Sequence, residues 1–247
     1  HLPWFVGGVR VGRVLPGLAE RLLADPAVFV AEGAGVGLSP RLAGFEARSA
    51  ALRGVVRALV REGLVAHEHG EDYVVTGDRP EHAVCVLDRA AAAHFGIRAF
   101  GQHVNGFVRG RDGLRMWIGR RARDRHNWPG RLDNLAAGGL PFGISLAANL
   151  AKECWEEAGV PAALAGQAQP VGVVTYAHAS GNGFKPDVLY CYDLELPADF
   201  RPRCMDGEVE GFELLAVSDV AALVRDTAEF KPNCSLVVLD FLVRHGV

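Results

Sequence analysis

The spacing of apolar positions changes period several times along this chain, and each change predicts an element. Across residues 46–62 the apolar positions Leu52, Val55, Val56 and Leu59 recur at helical spacing and run into Gly63, a stop signal. Residues 16–24 predict a shorter amphipathic helix, and residues 27–31 a strand. Residues 64–76 read as a hairpin turning at 69–72, and 83–96 as a strand that passes into an alanine-rich helix. From Phe100 the period falls to two: residues 103–109 and 114–120 alternate across a Gly110-Arg111-Asp112-Gly113 turn, which predicts a hairpin. Ser145 then precedes a stretch without Gly or Pro up to Gly159, a helix whose N-cap is Ser145 and whose buried face carries Leu146, Leu150 and Cys154. Strands at 171–177 and 188–194 flank a loop at 178–187. A strand at 212–217 and helices at 219–225 and 233–245 complete the pattern. The change of texture divides the chain into a small α/β N-terminal domain, residues 1–99, and a larger α+β domain, residues 100–247.

Composition excludes more than it selects. A chain of 247 residues with 49% hydrophobic content can bury a sizeable core. Its net charge of −3 argues against a nucleic-acid binder that relies on bulk electrostatics, and Arg120-Arg121-Ala122-Arg123 reads as a solvated loop. No stretch approaches the roughly 18–20 apolar residues of a membrane helix, and no secretory leader is expected. Five cysteines without paired spacing suit reduced thiols and a cytoplasmic setting. The partner expected is a small molecule; a homodimer remains open. Only three of the 26 basic residues are lysines (Lys152, Lys185 and Lys231), and lysine serves phosphate as a point charge.

The candidate chemistry lies in GGLPFGISLAANLAKECWEEAGV, residues 138–160. Glu153, Glu156 and Glu157 stand at i, i+3 and i+4, so the three carboxylates share a helix face. Like charges at that spacing oppose the helix by roughly 0.2–0.5 kcal/mol per pair, whereas a hard divalent cation requires gathered oxygens of this kind. A solvated acidic stripe is the bland alternative, and the glycine loop at a fixed distance upstream weighs against it.

That run resembles the Nudix box, G-x5-E-x7-R-E-U-x-E-E-x-G-U, in which U is aliphatic. Gly138 opens it, Lys152 stands at the arginine, Glu153, Glu156 and Glu157 fill glutamate positions, and Gly159-Val160 close it. Ile144 stands where the first glutamate falls. In most Nudix enzymes that glutamate pairs with the box arginine; with both partners changed here, an apolar brace is expected in place of the ion pair, and truncating a buried aliphatic there would cost roughly 1–4 kcal/mol. The motifs HVNGF (103–107), WPGRLDN (128–134), LYCYDLELP (189–197), DGEVEGFELL (206–215) and FKPNCSLVVLDFLVRHG (230–246) extend the likeness. With the box they resemble Nudix enzymes related to the Nudix half of fungal thiamine pyrophosphokinase fusions.

The resemblance implies an αβα sandwich with a mixed sheet, and hydrolysis of thiamine diphosphate or its oxidised analogues to the monophosphate. It implies magnesium or manganese held by Glu153, Glu156, Glu157 and the main-chain carbonyl of Ala137. Glu153, Glu157 and, from a later loop, Glu208 (with Glu210 behind it) are the candidates for catalysis. Lys152, Lys231, His103, Asn105 and Trp128 are the candidates for substrate binding, with Tyr176 as a further polar ring. Trp117 is expected in the core and Trp155 packed under the helix. The box reads a diphosphate and not its attachments, so nucleoside diphosphate derivatives such as ADP-ribose or a dinucleotide stay open, as does a catalytically silent binding module.

Overall fold

The computed structural model describes residues 1–247, the side chain of Ser180 excepted. Two compact units emerge. One comprises His1–Phe100 with Leu140–Gly143 and Thr175–Val188, the other Gly101–Gly139, Ile144–Val174 and Leu189–Val247.

The first unit is built from β1 (Leu2–Val6), β2 (Val9–Val14), α1 (Pro16–Leu23), β3 (Phe29–Glu32), β4 (Gly35–Leu38), α2 (Gly44–Arg61), β5 (Asp72–Val75), β6 (Cys85–Asp88) and α3 (Ala92–Phe95). Gly7 and Gly8, both at positive φ, make the tight turn between β1 and β2. The sheet order is β2-β1-β4-β3, with β1 and β4 parallel and the other neighbours antiparallel. Trp4, Leu22, Phe29, Leu52, Leu59 and Phe95 form its dry centre, each burial contributing roughly 1.5–3 kcal/mol. The hairpin expected at 64–76 does not form. The amides of Leu64 and Val65 close the end of α2 on the Leu59 carbonyl, and residues 67–71 carry no apolar alternation. β5 pairs instead with β6, Asp72 opposite Asp88 and Val75 opposite Cys85. Phe142 donates its N–H to the Asp72 carbonyl at 2.7 Å and sets its ring 5.3 Å from Phe45. A Cβ on Gly183 would lie 2.1 Å from the Ala93 carbonyl oxygen, and Phe184 lies under the Arg13 guanidinium.

The remaining elements are β7 (Ala99–Gly110), β8 (Gly113–Arg121), β9 (Leu132–Asp133), β10 (Ala136–Gly139), α4 (Leu146–Ala158), α5 (Ala162–Ala165), β11 (Gln169–Ser180), β12 (Gly183–Glu195), β13 (Val209–Ala216), α6 (Val217–Asp226) and α7 (Pro232–Arg244). The sheet runs β11-β12-β7-β8-β13, with β10 paired to β7 and β9 to β8. Period-two alternation sorts its side chains between two cores. Val104, Val108 and Trp117 pack with Leu150 and Cys154 of α4, while Phe107, Met116 and Ile118 pack with Val220, Val238 and Phe241 of α6 and α7. Helices thus cover both faces, the α+β layering that the box resemblance implied. The loop expected at 178–187 is strand: β11 and β12 extend until only Gly181 and Asn182 separate them. Arg120 and Arg121 belong to the end of β8, and Arg121 is buried rather than solvated, because Asp133 lies opposite as its partner. Among the described residues no helix is long and apolar enough to cross a membrane.

Candidate active site

Glycine brings β10 and α4 together. Ala136, Ala137, Gly138 and Gly139 pair with Val104, His103, Gln102 and Gly101 of β7, and the chain then turns through the loop to Ser145. The Ser145 hydroxyl caps α4 by accepting from the Ala148 N–H at 3.2 Å. At the other end Gly159 adopts φ 63°, and the amides of Gly159 and Val160 return to the carbonyls of Trp155 and Cys154. The buried face comprises Asn149, Leu150, Cys154, Glu157 and Ala158. Leu146, expected on it, is exposed because it is the first residue of the helix, and Trp155 lies out in solvent rather than under the helix, since its neighbours Cys154 and Ala158 take the buried side.

The loop is braced by amides, which the sequence reading missed. Asn149 donates to the Gln102 side-chain oxygen at 2.9 Å and to the Gly139 carbonyl at 3.0 Å, and Gln102 donates to the Leu146 carbonyl at 2.9 Å. Ile144 is half-buried and lies outside the hydrophobic clusters, so the expected apolar brace is replaced by this clamp.

The three carboxylates differ sharply in environment. Glu157 is buried and accepts the Ala137 N–H at 2.8 Å. Burial, then the charges of Asp133 and Glu153, hold its pKa well above the usual carboxylate range, against the pull of that N–H and of Lys231. Glu153 is nearly buried, with its carboxyl group pressed on Gly138: a Cβ there would lie 2.1 Å from the Glu153 carboxyl carbon. Glu156 is the most exposed of the three. Lys152 reaches Glu156 at 2.8 Å and Glu153 at 3.2 Å. Partial burial lowers the Lys152 pKa, but the two carboxylates outweigh it and the net shift is upward. A buried acid facing two further acids, beside a glycine whose missing side chain leaves the space filled by a carboxyl group, fits a hard divalent cation that takes oxygen ligands.

A second polar cluster adjoins the first. Asp133 accepts from the Asn134 N–H at 2.9 Å and from the Cys234 thiol at 2.7 Å, and faces Arg121 at 3.3 Å and Lys231 at 3.5 Å. Burial alone would raise its pKa, but Lys231 and its other partners pull it below the ordinary value. His103 bonds to the Asn134 side chain at 2.8 Å, and burial, with the Lys231 charge, pushes its pKa down to about 4. His103, Asp133 and Cys234 offer donor atoms within 4.8 Å of one another. The thiol donates to the carboxylate, burial raises its pKa, and two cations already face Asp133, so protons and side chains fill the cluster. Sequence reasoning overlooked Asp133. The signal was there, a charged residue inside the apolar run R-L-D-N-L-A-A, where burial demands partners.

The other expected residues are dispersed. Glu208 pairs with Arg125 at 3.4 Å and Arg121 at 3.7 Å, and Glu210 with Arg123 at 3.6 Å. The loop ahead of Glu208 is tied to α4, since the amides of Met205 and Asp206 donate to the Glu156 carbonyl. His103 and Asn105 are interior residues. Asn105 donates to Asp193 at 3.0 Å and accepts from Asn134 at 3.0 Å, which directs both toward the protein and not toward a ligand. Trp128 is exposed, with a left-handed φ of 54°. Trp117 is buried as expected. Tyr176 donates to Asp187 and stacks on His178.

Comparison with known proteins finds a family match for both parts of the chain. A family profile described as NUDIX domain matches residues 99–234, and one described as a domain of unknown function, DUF4743, matches residues 1–99. Nudix hydrolase 20, chloroplastic, of Arabidopsis thaliana is 48% identical over 202 residues, 81% of this chain and 54% of the relative. Nudix hydrolase 24, chloroplastic, of the same plant is 43% identical over 249 residues, 100% of this chain and 68% of the relative. The chain therefore spans about half to two thirds of these relatives' length. The NUDIX domain of Shewanella oneidensis NrtR, solved in complex with ADP ribose, aligns with 61% of this chain and 90% of its own at 15% identity and a TM-score of 0.47.

Proposed function

The chain belongs to the Nudix family, and from that premise we propose that it is a metal-dependent diphosphatase acting on a small organic diphosphate. The observation that carries the reading is the seating of Glu153 on Gly138 and of Glu157 on the Ala137 N–H, two acids fixed on successive residues of β10. Glu153, Glu156, Glu157 and the Ala137 carbonyl would hold magnesium or manganese, which when bound neutralises the diphosphate and activates the attacked phosphorus. The chain's own residues supply the rest. Lys152 and Lys231 contribute positive charge beside the acids, and Glu208, aimed by Arg121 and Arg125, is the candidate base. All of this machinery lies within residues 100–247, and the five free thiols suit a reducing compartment.

For the substrate we propose a thiamine-type diphosphate, cleaved to the monophosphate. Support comes from the segments HVNGF, WPGRLDN and FKPN, through which the chain resembles the Nudix enzymes related to the Nudix half of thiamine pyrophosphokinase fusions. The test is hydrolysis with and without metal. Activity should require magnesium or manganese, and Glu157→Gln should lower kcat by at least roughly 100-fold. Full activity in excess chelator would sink the mechanism. Comparing kcat/KM for thiamine diphosphate, its oxidised thiazole forms, ADP-ribose, NADH and coenzyme A tests the substrate. A lead for ADP-ribose or a dinucleotide would overturn the thiamine reading and leave the metal chemistry standing.

A further inference from the structure

The first unit carries two charges that its fold leaves unpaired. Arg48 of α2 is half-buried and tied down by carbonyls rather than by an acid. Its Nε donates to the Leu42 carbonyl at 3.2 Å and its Nη1 to the Val84 carbonyl at 3.4 Å. Two backbone acceptors fix the plane of the guanidinium without neutralising it. The remaining nitrogen, Nη2, faces the Gly7-Gly8 turn, 3.5 Å from where a Cβ on Gly7 would stand. Glu32, the last residue of β3, is also half-buried. Its carboxylate lies over Gly37 of β4, in the space that a Cβ there would take. Among the described residues neither Arg48 nor Glu32 has an ion-pair partner, and the two do not pair with each other.

Both charges line one cavity of about 330 Å³, whose apolar walls include Val30, Leu38 and Leu42. That volume lies at the small end of small-molecule sites, roughly 300–1,000 Å³. Half-buried charges without partners are costly, and an occupant that brings both opposite charges and an apolar body would relieve them together. We propose that this cavity binds a free α-amino acid with an apolar side chain. Its carboxylate meets Arg48, whose forked donors suit that group. Its ammonium meets Glu32, and its side chain packs on Val30, Leu38 and Leu42. A simple anion such as inorganic phosphate fits less well, because Glu32 repels it. The lining lies wholly within residues 7–48, in the part of the chain matched by DUF4743. It stands or falls apart from the diphosphatase reading.

Titrating the 15N-labelled full chain with L-leucine, L-methionine and L-phenylalanine, followed by amide chemical shifts, tests the assignment. At least one should bind with a Kd below about 1 mM and move the amides of Gly7, Gly8 and Gly37. Glycine, which lacks the apolar body, should bind at least about tenfold more weakly. For the tightest of the three, the acid without its amino group should bind wild type at least about tenfold more weakly. In Glu32→Gln that same change of ligand should cost less than about threefold, because the ammonium's partner is already gone. The amine without its carboxylate should show the same pattern with Arg48→Met; the Glu32 comparison stands even where Arg48→Met fails to fold. Four results would each overturn the proposal: no binding of the three amino acids, binding that leaves those amides unmoved, phosphate or the deaminated acid binding as tightly as the amino acid, or an equal loss in wild type and Glu32→Gln.

Discussion

Gly138→Ala is the sharpest perturbation available, because it replaces a hydrogen with a methyl group in a place already taken. The new Cβ would stand 2.1 Å from the Glu153 carboxyl carbon and 2.4 and 2.5 Å from its oxygens, where ordinary contact begins at 3.4 Å. The carboxyl group must retreat by about 1.3 Å, and misplacement of about 1 Å at a reacting centre lowers rates by about 100-fold, or about 2.7 kcal/mol of transition-state stabilisation. Stability should respond far less. The obstacle is the end of a flexible side chain and not backbone, and the retreat loosens a part-exposed pair with Lys152, of a kind worth less than about 1 kcal/mol and a few degrees in Tm. The assay is kcat/KM on an organic diphosphate under saturating magnesium beside a thermal melt. Gly211→Ala, where a Cβ meets nothing within 4 Å, is the control. Activity within about threefold of wild type, against the 100-fold expected from such a displacement, would refute the seating of Glu153 as the feature that makes the site.

Two further outcomes are expected. His103 has its pKa lowered to about 4 by burial; a base with a depressed folded pKa stabilises the fold above its unfolded value of about 6.5 and loses that contribution as pH falls toward 4, up to about 3 kcal/mol. Urea midpoints of wild type should therefore drop more steeply between pH 7 and 4.5 than those of His103→Gln, and parallel slopes would count against the assignment. Ile144→Ala should cost less than about 1 kcal/mol in equilibrium unfolding, since Ile144 is half-buried and outside the cores; a larger loss would restore it as the loop's brace.

What the sequence disclosed was local. Ser145, Gly159 and the i, i+3, i+4 glutamates announce α4 because caps and helical faces depend on residues a few positions apart. The alternation in β7 and β8 was legible for the same reason. The environment of each acid was not, because it is set by remote chain: Glu157 meets Ala137 twenty residues away, and Asp133 meets Cys234 at a separation of 101. Arg121 looked like one of a solvated run until Asp133 stood opposite it. The hairpin expected at 64–76 failed on pairing choice, since Asp72–Val75 satisfies its ladder with Cys85–Asp88. Periodicity names a strand and leaves its partner open.

The contact between Phe142 and the Asp72 carbonyl, and that of Gly183 with Ala93, bear on inheritance as much as on folding. A module that travels between genes is cut once at each end and brings its partners with it. Here the compact units exchange the chain five times, at residues 100/101, 139/140, 143/144, 174/175 and 188/189. Four residues of the box loop and a hairpin tip are folded with sequence that a recombination at residue 99 would leave behind. Such a graft would inherit the acids of the box while orphaning the ring of Phe142 and the backbone of Gly183. A recombination that kept these contacts would have to carry residues 1–99 together with the sequence that follows them.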